Sequence, residues 1–76
     1  MPKTITSKQY KNLISWLKEA RTSQGLSMRS LGQKLNQPHS YVQKIESIER
    51  KLDVLEYVQY CKALNISPKD GLDILT

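Results

Sequence analysis

Apolar residues recur along this chain at the spacing of helix faces, and no stretch shows the two-residue alternation of a strand. Tyr10, Leu13, Ile14, Leu17 and Ala20 follow the i, i+3, i+4, i+7 rule and predict a helix from about Ser7 to Gln24, with Trp16 off its stripe. Gly25 supplies a left-handed stop. Ser27 is placed to cap a second helix running to about Leu35, with Leu31 and Leu35 inward. Gly32 in its middle costs roughly 1 kcal/mol relative to Ala, but lets another helix come close. Asn36 tolerates the left-handed backbone of a sharp turn. A third helix is predicted from Pro38, a residue suited to the first helical position, to about Ser47, with Val42 and Ile45 inward.

The same pattern predicts two more helices. Asp53 and Glu56 have the spacing of a capping box, and Val54, Tyr57 or Val58, Cys61 and Leu64 make the inner face of a fourth helix that Asn65 ends. Ser67-Pro68-Lys69-Asp70 opens a fifth, with an N-cap, a proline at the first position and an acid at the third. It carries Leu72, Ile74 and Leu75. Residues 1–6, with Pro2 and Lys3, read as a flexible N-terminal arm, and 7–76 as one domain. The expected fold is all-α with five helices.

Leu26 to Arg50 is the informative run: a short helix, a tight turn, and a second short helix ending in a carboxylate. Two helices crossing steeply over a turn of three or four residues are the device by which a small protein puts one helix into the DNA major groove. Charge agrees with it. The chain carries 12 Lys+Arg and 7 Asp+Glu. Residues 1–52 hold ten of the basic residues and three acids, a net of +7, and 53–76 hold two against four, a net of −2. Positive charge gathers where phosphates would be met.

Other chemistry is poorly supplied. A lone His39 and a lone Cys61 give no tetrahedral metal set and no nucleophile–base pair, so no catalytic residue, metal or cofactor is expected. A single cysteine forms no internal disulfide, which fits a cytoplasmic, nucleoid-associated setting. No apolar run approaches membrane-spanning length, and MPKTIT has no signal-peptide core. A domain of 76 residues buries only about 60–65% of its unfolded surface and gains from a partner copy.

Taken together, the pattern around Leu17 and Arg21, the Gly25-Leu26-Ser27 entry, Leu31 and Leu35, Val42, the Ile45-Glu46 pair and the Ala63-Leu64 step resemble the phage repressor and Cro family, the XRE-type helix-turn-helix regulators. The stretch QPHSYVQKIESIERKLDVLEY is especially close to a subgroup of small bacterial and prophage regulators. The resemblance implies a lambda-repressor-like domain that binds double-stranded DNA as a homodimer on a partly palindromic operator. It places base reading on His39, Ser40, Gln43 and Lys44, and backbone contact on Arg50 and Lys51 in the loop after them. It implies an ion pair between Arg21 and Glu46. Where the family has Gln at the start of the second helix, Ala within it, Gly in the turn and an apolar residue after it, this chain has Met28, Gly32, Asn36 and Gln37.

Beside these, Ser27, Arg29, Lys34, Tyr41 and Ser47 are candidate contacts to the DNA backbone, with an ordinary solvated, capping or core role as the alternative for each. Leu72, Ile74 and Leu75 complete the core or, with Trp16 or Leu55, form a dimer interface. The reading is a transcriptional regulator, most simply a repressor, without enzymatic activity or a small-molecule substrate. Its rival is an antitoxin-type module that masks a toxin and regulates itself.

Overall fold

The computed structural model describes residues 7–76, and the expected arm at 1–6 lies outside them. Five helices follow in order: α1 Lys8–Ser23, α2 Met28–Lys34, α3 His39–Glu46, α4 Val54–Leu64 and α5 Pro68–Leu75. No strand occurs among the described residues. Nor is any described helix long and apolar enough to cross a membrane. The all-α, five-helix architecture is the one the periodicity predicts.

The helix starts follow local chemistry. Ser7 Oγ accepts from the Tyr10 amide at 3.1 Å, and Ser27 Oγ from the Ser30 amide at 3.0 Å. In the box that opens α4, Asp53 Oδ1 accepts from the Glu56 amide at 2.8 Å while Glu56 Oε1 accepts from the Asp53 amide at 3.0 Å. Two starts differ from expectation. Pro38 is the cap of α3, not its first residue, and Ser67 makes no side-chain capping bond.

The four stops before α5 share one geometry. After α1, the Gly25 amide bonds Thr22 O and the Leu26 amide bonds Arg21 O. The same two-bond pattern recurs with Asn36 and Gln37 on Gln33 O and Gly32 O, with Ile48 and Glu49 on Ile45 O and Lys44 O, and with Asn65 and Ile66 on Lys62 O and Cys61 O. This is the Schellman closure, whose pivot residue adopts a left-handed conformation. Gly25, Asn36 and Asn65 accept that conformation readily. Ile48, at φ 65°, does not: a β-branched residue there is a genuine outlier.

The core joins Tyr10, Leu13, Ile14 and Leu17 of α1 to Leu31, Val42 and Ile45 of the α2–α3 pair and to Tyr57, Tyr60, Cys61 and Leu64 of α4. Two positions in α4 correct the periodic reading. Val54 is 82% exposed, because the first turn of α4 reaches the mouth of an open groove instead of the core. Tyr60, absent from the expected face, is completely buried. Trp16 and Met28 are half-buried against the core, as are Ala20 and Leu35 from the expected inner faces. α5 closes on α1 at Gly71, where a Cβ would collide with the Tyr57 hydroxyl and the Trp16 ring. Tyr57 also donates its hydroxyl to Pro68 O at 2.6 Å, tying α4 to the start of α5.

Candidate nucleic-acid interface

α3 presents two faces. Val42 and Ile45 are completely buried, while His39, Gln43 and Lys44 are exposed and Ser40 is half-buried. The fixed inward pair orients the outward set, so the four residues expected to read bases share a solvent-facing side of one helix. Their side chains match base edges: Gln can pair with adenine, Lys with guanine, and Ser with either partner type.

The approach of α2 to α3 is unusually close. A Cβ on Gly32 would lie 2.8 Å from Gln37 O and 3.2 Å from Pro38 O. The Gln37 amide in turn bonds Gly32 O at 2.8 Å. Gly32 therefore admits the turn backbone directly against α2, which explains why the position lacks even a methyl group.

Two arginine–glutamate forks hold the end of α3. Arg21 Nε donates to Glu46 Oε2 at 2.6 Å, its NH2 group to Glu46 Oε1 at 3.0 Å, and its NH1 group to Leu26 O at 2.7 Å. The two side chains are only 9% and 4% exposed. This is the pair that the resemblance implied. The second fork was not foreseen. Arg50 NH1 donates to Glu56 Oε1 at 3.0 Å and its NH2 group lies 2.9 Å from Glu56 Oε2, with side chains 42% and 22% exposed. The Arg50 guanidinium also sits 4.9 Å from the centre of the Tyr41 ring, within cation–π range. Its hydrogen bond to Arg50, and then that to the Asp53 amide, hold the Glu56 carboxyl below the usual carboxylate range. The Tyr41 phenol is pushed up, first by burial and then by the Glu56 charge.

The remaining candidates are spread around this centre. Ser27 and Arg29 are exposed at the start of α2. Ser47 donates its hydroxyl to Glu49 Oε2 at 2.7 Å, with Lys44 O 3.3 Å away, so it is engaged locally at the end of α3. Lys51 is exposed and already engaged with a neighbour. Lys34 stands at the far end of α2, lining a shallow groove with Asn36, Gln59 and Lys62. Leu72 is 49% exposed, whereas Ile74 and Leu75 are half-buried. Leu72 and Leu75 line an apolar groove of about 300 Å³ with Leu52, Val54, Val58 and Pro68. Leu55 is exposed on the same first turn of α4 as Val54. No group of side chains able to hold a metal ion occurs among the described residues.

A buried helical scaffold that aims one short polar helix face at solvent, beside arginines, defines a helix-turn-helix domain. The model of the helix-turn-helix family matches residues 17–70. An XRE-family like protein from Pseudomonas syringae pv. tomato superposes with a TM-score of 0.85 and is 36% identical, over 95% of this chain and 88% of that one. The restriction-modification controller protein C.AhdI from Aeromonas hydrophila superposes with a TM-score of 0.70 at 28% identity, over 86% of this chain and 99% of that one. No curated protein gives a significant match. The chain belongs to the XRE-type helix-turn-helix family of DNA-binding regulators.

Proposed function

We propose that the protein is a sequence-specific transcriptional repressor that binds a partly palindromic operator as a homodimer. The observation that carries this reading is α3: Val42 and Ile45 fully buried, with His39, Gln43 and Lys44 exposed beside them. Inserted in the major groove, this face reads bases through His39, Ser40, Gln43 and Lys44. Contacts from Ser27, Arg29, Lys34, Tyr41, Ser47, Arg50 and Lys51 to phosphates set its register. Repression follows from occupying promoter DNA, and no catalytic step is needed.

One such helix covers only a few base pairs. A two-fold dimer doubles the reading and sets the half-sites about one helical turn, roughly 34–36 Å, apart. The acidic, apolar C-terminal part supplies the self-contact, through Leu72, Ile74 and Leu75. The exposed Val54 and Leu55 extend that surface onto α4. Selection of bound sequences from random DNA, at stated salt, tests the reading. A two-fold symmetric motif is expected, and Ser40→Ala or Lys44→Ala should alter it or cost roughly 1–3 kcal/mol per lost base contact. Recovery of no preferred sequence, or an unchanged motif and affinity in both variants, refutes base reading by α3. Sedimentation with operator tests the dimer: one protomer per operator at saturation refutes it and leaves the α4–α5 groove to a foreign protein, as in a toxin-masking module.

A further inference from the structure

The resemblance makes Arg50 a phosphate ligand, yet both terminal nitrogens of its guanidinium already face a carboxylate. The Arg50 amide bonds Lys44 O at 3.2 Å, so the residue, four positions beyond α3, folds back onto the end of the recognition helix. Its fork points to Glu56, and its plane lies over Tyr41 of the same helix. A DNA phosphate offers the same two-oxygen geometry as that carboxylate and can take the fork only by displacing it.

We propose that Glu56 competes with DNA phosphate for Arg50, so that this contact forms by exchange of one anion for another. The proposal rests on the DNA-binding reading. Three features make the exchange feasible. The pair is substantially exposed, and exposed pairs are weakly held. Tyr41 keeps the guanidinium beside α3 whichever anion it holds. Glu56 keeps a second partner, because its Oε1 also caps the Asp53 amide. Exchange has a consequence for salt. When a free arginine meets a phosphate, the counterion released from DNA is a net gain; when Glu56 is uncovered at the same moment, it takes a cation back. Glu56 thus trims affinity for DNA of any sequence, since phosphates carry no sequence information.

Glu56→Gln isolates the effect, because glutamine can fill the same capping-box position without charge. Anisotropy of a labelled duplex should be measured over a potassium chloride series for the wild type, Glu56→Gln, Arg50→Ala and the double variant. Thermal melts should confirm that each is folded. Glu56→Gln should bind about two- to fivefold more tightly at low salt, the range spanned by the worth of an exposed pair. The slope of log affinity on log salt should steepen by up to about 0.9, because no cation is taken back by an uncovered Glu56. In the Arg50→Ala background the same change should have no effect. Equal or weaker binding by folded Glu56→Gln with an unchanged slope overturns the proposal. So does the same gain in both backgrounds, which would reflect only the loss of one negative charge. If the wild type and every variant fail to bind any duplex, the DNA-binding reading itself has failed.

Discussion

The two arginine–glutamate forks have the same chemistry and opposite surroundings. Arg21 and Glu46 are buried, and the guanidinium has a third partner in Leu26 O. Arg50 is exposed and Glu56 only partly buried, just beyond the same helix end. Burial makes the first fork obligatory: each charge has left water and depends on the other. Exposure makes the second fork exchangeable, because water or a phosphate can replace either partner. Geometry alone would rank them as equals, and their surroundings separate a structural brace from an adjustable contact.

The largest expected effect falls on the buried fork. Arg21→Ala or Glu46→Ala should each cost about 3–5 kcal/mol in urea melts, and the double variant should cost far less than their sum. Additive losses of under about 0.5 kcal/mol each would dissolve the contrast. Tyr60→Phe sharpens it from the other direction. Glu46 and Arg21 are the charges acting most on the Tyr60 phenol, and its hydroxyl has no hydrogen-bond partner among the described residues. Removing that hydroxyl should raise stability by about 1 kcal/mol. A loss of that size would show that the hydroxyl serves the buried fork.

Ile48 links the two forks, lying two residues from both Glu46 and Arg50. Glycine there would relieve a left-handed strain of about 1–2 kcal/mol but would lose the half-buried apolar contact. The two terms nearly cancel, so Ile48→Gly should melt within about 1 kcal/mol of the wild type. A larger loss would mean that the apolar anchor dominates. Arg50→Ala should cost under about 1 kcal/mol, and molar salt should erase most of that cost while leaving the Arg21→Ala penalty in place. The smallest effect is in acid. Glu56 titrates below its ordinary value, so its contribution is present at neutral pH and fades as the pH falls below the ordinary glutamate range and through that lowered pKa. A carboxyl NMR titration should find that depression reduced in Arg50→Ala, with the part due to the Asp53 amide remaining.

Local chemistry explains what could be read from the chain. Helix periods, the Asp53–Glu56 box, and the turns at Gly25, Asn36 and Asn65 are local features, and each matches the observed element. The Arg21–Glu46 pair came from resemblance, because partners 25 residues apart leave no local mark. The Arg50–Glu56 fork was hidden for a different reason: Glu56 already had an assigned role as a cap, and nothing in the spacing showed a second partner. Ile48 was equally opaque, since a β-branched residue does not announce a left-handed turn. Val54 misled because it is in phase with the inner stripe but one turn beyond the core. The candidate base readers and the proposed dimer surface depend on partners outside the chain, which internal periodicity cannot encode.

The close approach at Gly32 has a mechanical consequence. With the Gln37 carbonyl against α2 and the Gln37 amide bonded to Gly32 O, the turn has little room for play. α3 has eight residues, a rod about 12 Å long. Tilting such a rod at its base displaces its tip in proportion to its length. Recognition needs side chains held to within about 0.5 Å. The missing methyl group therefore works as a manufacturing tolerance: it lets α2 and α3 seat as one rigid part, and errors at the turn are not magnified at Lys44.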